Sequence, residues 1–208
     1  MEEAGSDPRA LGILDSVKAI FASKGFDGAS MQDLARAAGM SAGNFYRYFP
    51  SKSAIIEAMV ERELDEVRAK FRAILRSPDP LATFRATVAE RIACGDVCDA
   101  AMWAEIEAAA TRRPEFAALL DRVEDEIVRS LVAVFARIGG LSEAAAAARF
   151  GAHAGLVLML VQSVSLRCGA RRAPGANDEM VALVERTISF ILSEVLLAGR
   201  PAEAAAAS

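Results

Sequence analysis

Between Ser41 and Lys52 the chain reads SAGNFYRYFPSK, which crowds four aromatic rings, an amide and a guanidinium between a serine and a Pro-Ser-Lys sequence. Phe45 and Phe49 are four residues apart, the spacing at which two helical side chains share a face. If that face is buried, Ala42, Gly43, Asn44, Tyr46, Arg47 and part of Tyr48 are left toward solvent. Asn and Arg carry paired polar atoms that match the edges of adenine and guanine, while Tyr and Ser hydroxyls and backbone N–H groups hold phosphate oxygens. Gly43, near a helix start, costs little there and lets backbone approach a flat partner. Lys52 falls in the first turn of the following helix, where unpaired N–H groups and the helix dipole already attract an anion. The chemistry these residues suit is recognition of a duplex rather than the making or breaking of bonds. The same spacing of rings also serves a plain structural core, so the residues alone leave both readings open.

Other chemistry has less behind it. Cys94 and Cys98 are four apart, but Gly95 lies between them, the sole histidine is the distant His153, and no further ligand stands at metal spacing. Reduced thiols are expected, with no metal and no cofactor. GFDG, GG and PGAN are short turn signals and not phosphate loops. Glu105/Glu107 and Glu124/Asp125/Glu126 read as solvated helix faces. The enzyme class therefore gives way to binding classes, with a helical protein-interaction module as the alternative to a nucleic-acid reader.

The elements that position the aromatic stretch are helices. Hydrophobic residues make up 53% of the 208, aromatics only 6%, and alanine is abundant throughout, which favours an all-α fold. Asp7-Pro8 starts a first helix, in which Ile13/Leu14, Val17 and Ile20/Phe21 recur at helical spacing before Gly25 stops it. Ser30, with Asp33 three residues on, opens a short helix, MQDLARAA, that Gly39 breaks. Ser41 caps the next short helix, Pro50 ends it, and Ser51 caps a long helix to about Arg76. Two short helices on a tight glycine turn, supported by a preceding helix, are the arrangement of a helix-turn-helix.

Charge agrees weakly. The net charge is −4 with a pI near 5.2, yet residues 9–52 carry six Lys and Arg against three acids, so a mildly basic head precedes an acidic body. The opening residues lack the basic end and apolar stretch of a secretory signal, and a cytoplasmic location is expected.

Residues 10–60, and above all GFDGASMQDLARAAGMSAGNFYRYFPSKSAIIEAM, closely resemble the DNA-binding head of the TetR family of bacterial transcriptional regulators. The resemblance covers about a quarter of the chain. It implies that Ser30 and Gln32 lie near phosphates, that Ser41, Gly43, Asn44, Tyr46, Arg47 and Tyr48 belong to a recognition helix, and that Lys52 anchors a phosphate. Where many relatives carry a long polar side chain this one has Ala42, which limits that position to apolar contact, such as with a thymine methyl. The implied organisation is a flexible 1–8, a DNA-binding 9–52 with the helix-turn-helix at about 30–49, a ligand-binding and dimerisation body over 53–200, and a disordered tail over 201–208. The implied function is a ligand-responsive regulator, by default a repressor that binds a palindromic operator as a dimer and is released by a small molecule; an activator is the alternative.

Beyond Arg76, apolar segments punctuated by Gly95, Arg113-Pro114, Gly139-Gly140 and the loop from Gly169 to Gly175 bring the total to about nine helices. Phe150 to Leu166 is nearly apolar all round, but it is short for a bilayer span and interrupted by His153, Gln162, Ser163 and Ser165. Such a helix can instead face its own core on one side and a second copy on the other, so the last two helices are expected to form a four-helix dimer interface, without a membrane. Met59, Phe84, Met102, Trp103, Ile106, Phe116, Phe135 and Met159 sit on helices that the family packs around an effector cavity, with Gln162, Glu105 and His153 as polar candidates. The resemblance also implies that helix 4, through Lys52, links that cavity to the spacing of the two heads, which must match the roughly 34–36 Å between successive major grooves.

Overall fold

The computed structural model describes residues 8–93, 97–170 and 178–199. Asp7, Cys94, Gly95, residues 171–177 and the tail from Arg200 lie outside the described residues, as do the side chains of Cys98 and Asp99.

Nine helices, and no strand, occur among the described residues: α1 (Pro8–Gly28), α2 (Met31–Ala37), α3 (Ala42–Tyr48), α4 (Lys52–Arg76), α5 (Pro80–Ala93), α6 (Val97–Ala110), α7 (Pro114–Gly139), α8 (Glu143–Ala170) and α9 (Asp178–Ala198). Their ends follow local chemistry. Gly25 takes φ +71° and breaks α1, after which one further turn runs to Gly28. Ser30 and Asp33 form the full capping box expected for α2. At the other end Gly39 takes φ +64°, and the N–H groups of Gly39 and Met40 close on the carbonyls of Arg36 and Ala35. Ser41 Oγ accepts from Asn44 N at the start of α3, and Ser51 Oγ accepts from Ala54 N at the start of α4. Asp79 Oδ1 accepts from Ala82 N at α5, and Ser142 Oγ from Ala145 N at α8.

The chain divides into two compact units, Met1–Glu66 with Asp96–Asp121, and Val67–Gly95 with Arg122–Ser208. The grouping differs from a split at residue 52, because α6 packs along α1 and joins the head. In the first unit Ile13, Leu14, Val17 and Phe21 of α1 are buried, as their spacing requires. The first half of α4 is tied to α1 by Arg62 to Asp15 at 2.7 Å and Lys18 to Glu63 at 3.5 Å.

In the second unit Phe135 is the hub, with edge-on ring contacts to Phe84 at 6.2 Å and Phe150 at 6.5 Å. Arg68 and Glu126 form a two-pronged pair whose second contact is 2.8 Å, and the guanidinium holds the Glu126 carboxyl below its usual range. On α9, Val184, Ile188, Ile191, Leu192 and Val195 face the core. By length and composition alone Glu143–Arg167 could cross a bilayer, with a mean hydropathy of 1.6.

Candidate nucleic-acid interface

The head presents α3 as a two-faced helix. Phe45 and Phe49 are 0% and 2% exposed with ring centroids 6.0 Å apart, so they anchor α3 from behind as the sequence predicts. Ser41, Ala42, Gly43, Tyr46 and Arg47 are exposed, and Asn44 and Tyr48 are half-buried. Tyr46 is 47% exposed. No ion pair holds Arg47 among the described residues, so its guanidinium is available to an outside partner. A Cβ built on Gly43 meets nothing within 4 Å, so the fold itself does not demand a glycine there.

Two expected phosphate ligands are already engaged inside the head. The Ser30 hydroxyl accepts from Asp33 N at 3.1 Å and its oxygen lies 2.7 Å from Asp33 Oδ2, to which it donates. That closes the hydroxyl into the capping box and leaves exposed Gln32 as the outward side chain at the start of α2. The Lys52 ammonium donates to the carbonyls of Phe26 at 2.7 Å and Asp27 at 3.4 Å and lies 4.8 Å from the Phe26 ring centroid. An ammonium has three N–H groups. Lys52 is thus first a staple between the start of α4 and the end of α1, with at most one donor left for a phosphate.

The Ser30 hydroxyl, the Ser30 backbone N–H and then Lys24 hold the Asp33 carboxyl at about 2, below its ordinary 3.8. A depressed folded-state value means that the stabilisation is present above pH 3.8 and is lost as pH falls toward 2. Asp33→Asn should therefore melt below the wild type at neutral pH, and the difference should close on acidification through that window in a pH series of thermal melts. A difference constant down to pH 2 would place the effect elsewhere than in this carboxylate.

The effector candidates divide between the two units. Met59, Met102, Ile106 and Phe116 are buried in the first, where Phe116 meets Phe26 edge-on at 5.1 Å. Trp103 is half-buried, and its Nε1 is buried with no hydrogen-bond partner. Phe84 and Phe135 are core rings of the second unit and Gln162 is half-buried there. Met159 corrects the expectation: at 64% exposed it lines no interior and lies on the outward side of α8. Glu105 Oε2 accepts from the backbone N–H of Phe26 at 3.2 Å. His153 Nε2 lies 3.3 Å from Glu194 Oε2, and its Nδ1 is buried without a partner.

Sequence reasoning missed the grip of α6 and α7 on the end of α1. Besides Glu105, Arg113 reaches Asp27 at 2.9 Å and Arg112 reaches it at 3.7 Å. The one signal was Asp27 itself, a carboxylate at a helix C-terminus, where the dipole disfavours it unless a cation answers.

The His153–Glu194 contact sets α8 against α9 and identifies a shared outward face. Leu156 lies a turn beyond His153 and Phe190 a turn before Glu194, and they are 42% and 64% exposed. Met159, Leu183 and Leu197, at 64%, 51% and 61%, extend the same unpartnered apolar surface. Met180, also on α9, is 45% exposed.

The family model for bacterial regulatory proteins, tetR family, matches residues 13–59, from α1 into α4. Over 88 residues the chain is 32% identical to the HTH-type transcriptional repressor KstR2 of Rhodococcus jostii, a stretch that is 42% of this chain and 43% of that relative. It is 33% identical over 67 residues to the HTH-type transcriptional regulator UidR of Escherichia coli, which is 32% of this chain and 34% of that one. The chain thus matches less than half the length of these relatives. In fold it is similar to Salmonella enterica GusR, with TM-score 0.67 and 23% identity over 89% of this chain and 96% of that one. It is also similar to a transcriptional regulator from Rhodococcus sp. Rha1, with TM-score 0.69 and 21% identity over 88% and 96%.

Proposed function

We propose that this chain, whose residues 13–59 match the family model for bacterial regulatory proteins of the tetR family, is a DNA-binding transcriptional regulator of that family and not an enzyme. Two copies pair through the outward face of α8 and α9 and place two α3 helices in successive major grooves of a palindromic operator. Repression is the favoured output, supported by the repressor among its relatives, and activation is the alternative. A small-molecule effector, taken up by a cytoplasmic protein, releases the operator. The buried, unpartnered indole N–H of Trp103, between Met102 and Ile106 on α6, supports a place for it near that helix.

One observation carries the reading: α3 is anchored by two buried phenylalanines and turns Tyr46 and Arg47 outward, with Asn44 half-exposed beside them. In this reading Asn44 and Arg47 meet base edges, Ser41 and Tyr46 meet phosphates with Gln32 beside them, Tyr48 supports the contact, and Ala42 lies against a methyl or sugar. Selection of duplexes from a random pool with the purified chain tests it. A two-fold symmetric consensus is expected, with affinity falling linearly in log salt. Retention of no duplex at low salt would return the chain to the interaction-module reading.

Gly43 gives a sharper check. Alanine in its place meets no atom of the chain and improves helix propensity by up to about 1 kcal/mol, so the melting temperature should hold or rise. Affinity for the selected duplex should nonetheless drop by roughly ten-fold, because the added methyl holds the backbone off the DNA. Unchanged affinity would move the closest approach away from the start of α3.

A further inference from the structure

Charged groups hold the exit of α1 from three sides, and those from α6 and the α6–α7 turn are not among the side chains assigned to the duplex. Gly25 breaks the helix, and the very next N–H, that of Phe26, is taken by the Glu105 carboxylate of α6 at 3.2 Å. The approach is so close that a Cβ on Gly25 would stand 2.8 Å from Glu105 Oε2. The positive φ favours glycine here, and any Cβ would push the Glu105 carboxylate off the Phe26 N–H. From α4, Lys52 caps the Phe26 and Asp27 carbonyls. From the α6–α7 turn, Arg113 pairs with the Asp27 carboxylate and places its Cζ 4.8 Å from the centroid of the Phe26 ring, at the same distance as the Lys52 ammonium.

Only Ala29 and Ser30 separate this clamped turn from α2, so its orientation sets the pitch of the α2–α3 pair. A hydrogen bond at 3.2 Å is near the long end of its range and weakens steeply with further separation or tilt. A small displacement of α6 is then enough to release the Phe26 N–H. We propose that Glu105 is a positioning residue through which α6 sets the angle of the DNA-binding head, with the Asp27–Arg113 pair as its second fastening. The proposal rests on the DNA-binding reading and specifies how the DNA contact is regulated: a ligand that moves α6 unfastens the head directly, without first moving α4.

The test uses the full chain and the duplex that the wild type selects, together with two versions of that duplex lengthened or shortened by one base pair between half-sites. Glu105→Ala should raise Kd on the selected duplex roughly ten-fold, within the range of about 5- to 150-fold typical of coupled sites. It should also flatten the penalty for altered spacing, because a loosened head tolerates a misplaced groove. Glu105→Gln retains an oxygen that can accept from Phe26 N–H and should recover most of both properties. A merely stabilising role would instead raise Kd by one factor on all three duplexes, in step with the melting temperature. That outcome, or wild-type affinity and spacing dependence in Glu105→Ala, overturns the proposal. Arg113→Met carries the same test with the same outcomes should Glu105→Ala not fold. Failure of the wild type to select any duplex would instead defeat the DNA-binding reading, and this proposal with it.

Discussion

Phe190→Asp should convert the protein to a monomer and raise Kd for a two-fold symmetric duplex by a hundred-fold or more, about 2.7 kcal/mol. Phe190 is 64% exposed, and Leu156 and Met159 of α8 with Leu183 and Leu197 of α9 add further exposed apolar surface. Full burial of one such side chain is worth about 1.5–3 kcal/mol, and a two-fold interface counts each residue twice. Burial of the exposed part of these five side chains on both copies is worth roughly 8–17 kcal/mol, of the same order as the roughly 4–15 kcal/mol cost of association. A carboxylate at position 190 reverses the balance. It would be desolvated without a cation, one turn from the existing Glu194 carboxylate. DNA affinity follows because a monomer engages half-sites singly and loses the effective concentration that the second head provides. Sedimentation velocity with wild type and variant at equal concentration decides it. An unshifted dimer, or a monomer with undiminished operator affinity, would remove α8 and α9 from the assembly.

The parts of this architecture that were legible in the sequence are those whose cause is local. The Ser30–Asp33 box, the left-handed Gly39 and the Pro50 stop act within a few residues of themselves, and they fix α2 and α3 within the head. The two-faced character of α3 was equally legible, because Phe45 and Phe49 report their own periodicity. What a charged side chain touches was not legible. Lys52 meets carbonyls 25 and 26 positions away and Glu105 an N–H 79 positions away, and no spacing rule reaches so far. Met159 was misplaced for a different reason. On a helix apolar all round, nothing in the composition separates Val157 and Leu158, which are buried, from Leu156 and Met159, which are not.

Phe45→Ala and Arg47→Ala, two positions apart on one helix, should have opposite signatures. Phe45 is 0% exposed and packs on Phe49, so truncation removes a full ring from a core and should cost about 3–5 kcal/mol of stability. Operator binding should vanish with it, because α3 loses its seat against the head. Arg47 is exposed and makes no ion pair among the described residues, so its removal should leave stability within about 0.5 kcal/mol of wild type. It should instead cost about 1–3 kcal/mol of discrimination at one base pair per half-site, seen as a relaxed position in the selected consensus. Denaturant melts and repeated selections on both variants supply the four measurements. Equal loss of stability from the two substitutions would mean that α3 is packed on both sides and has no face left to offer a duplex.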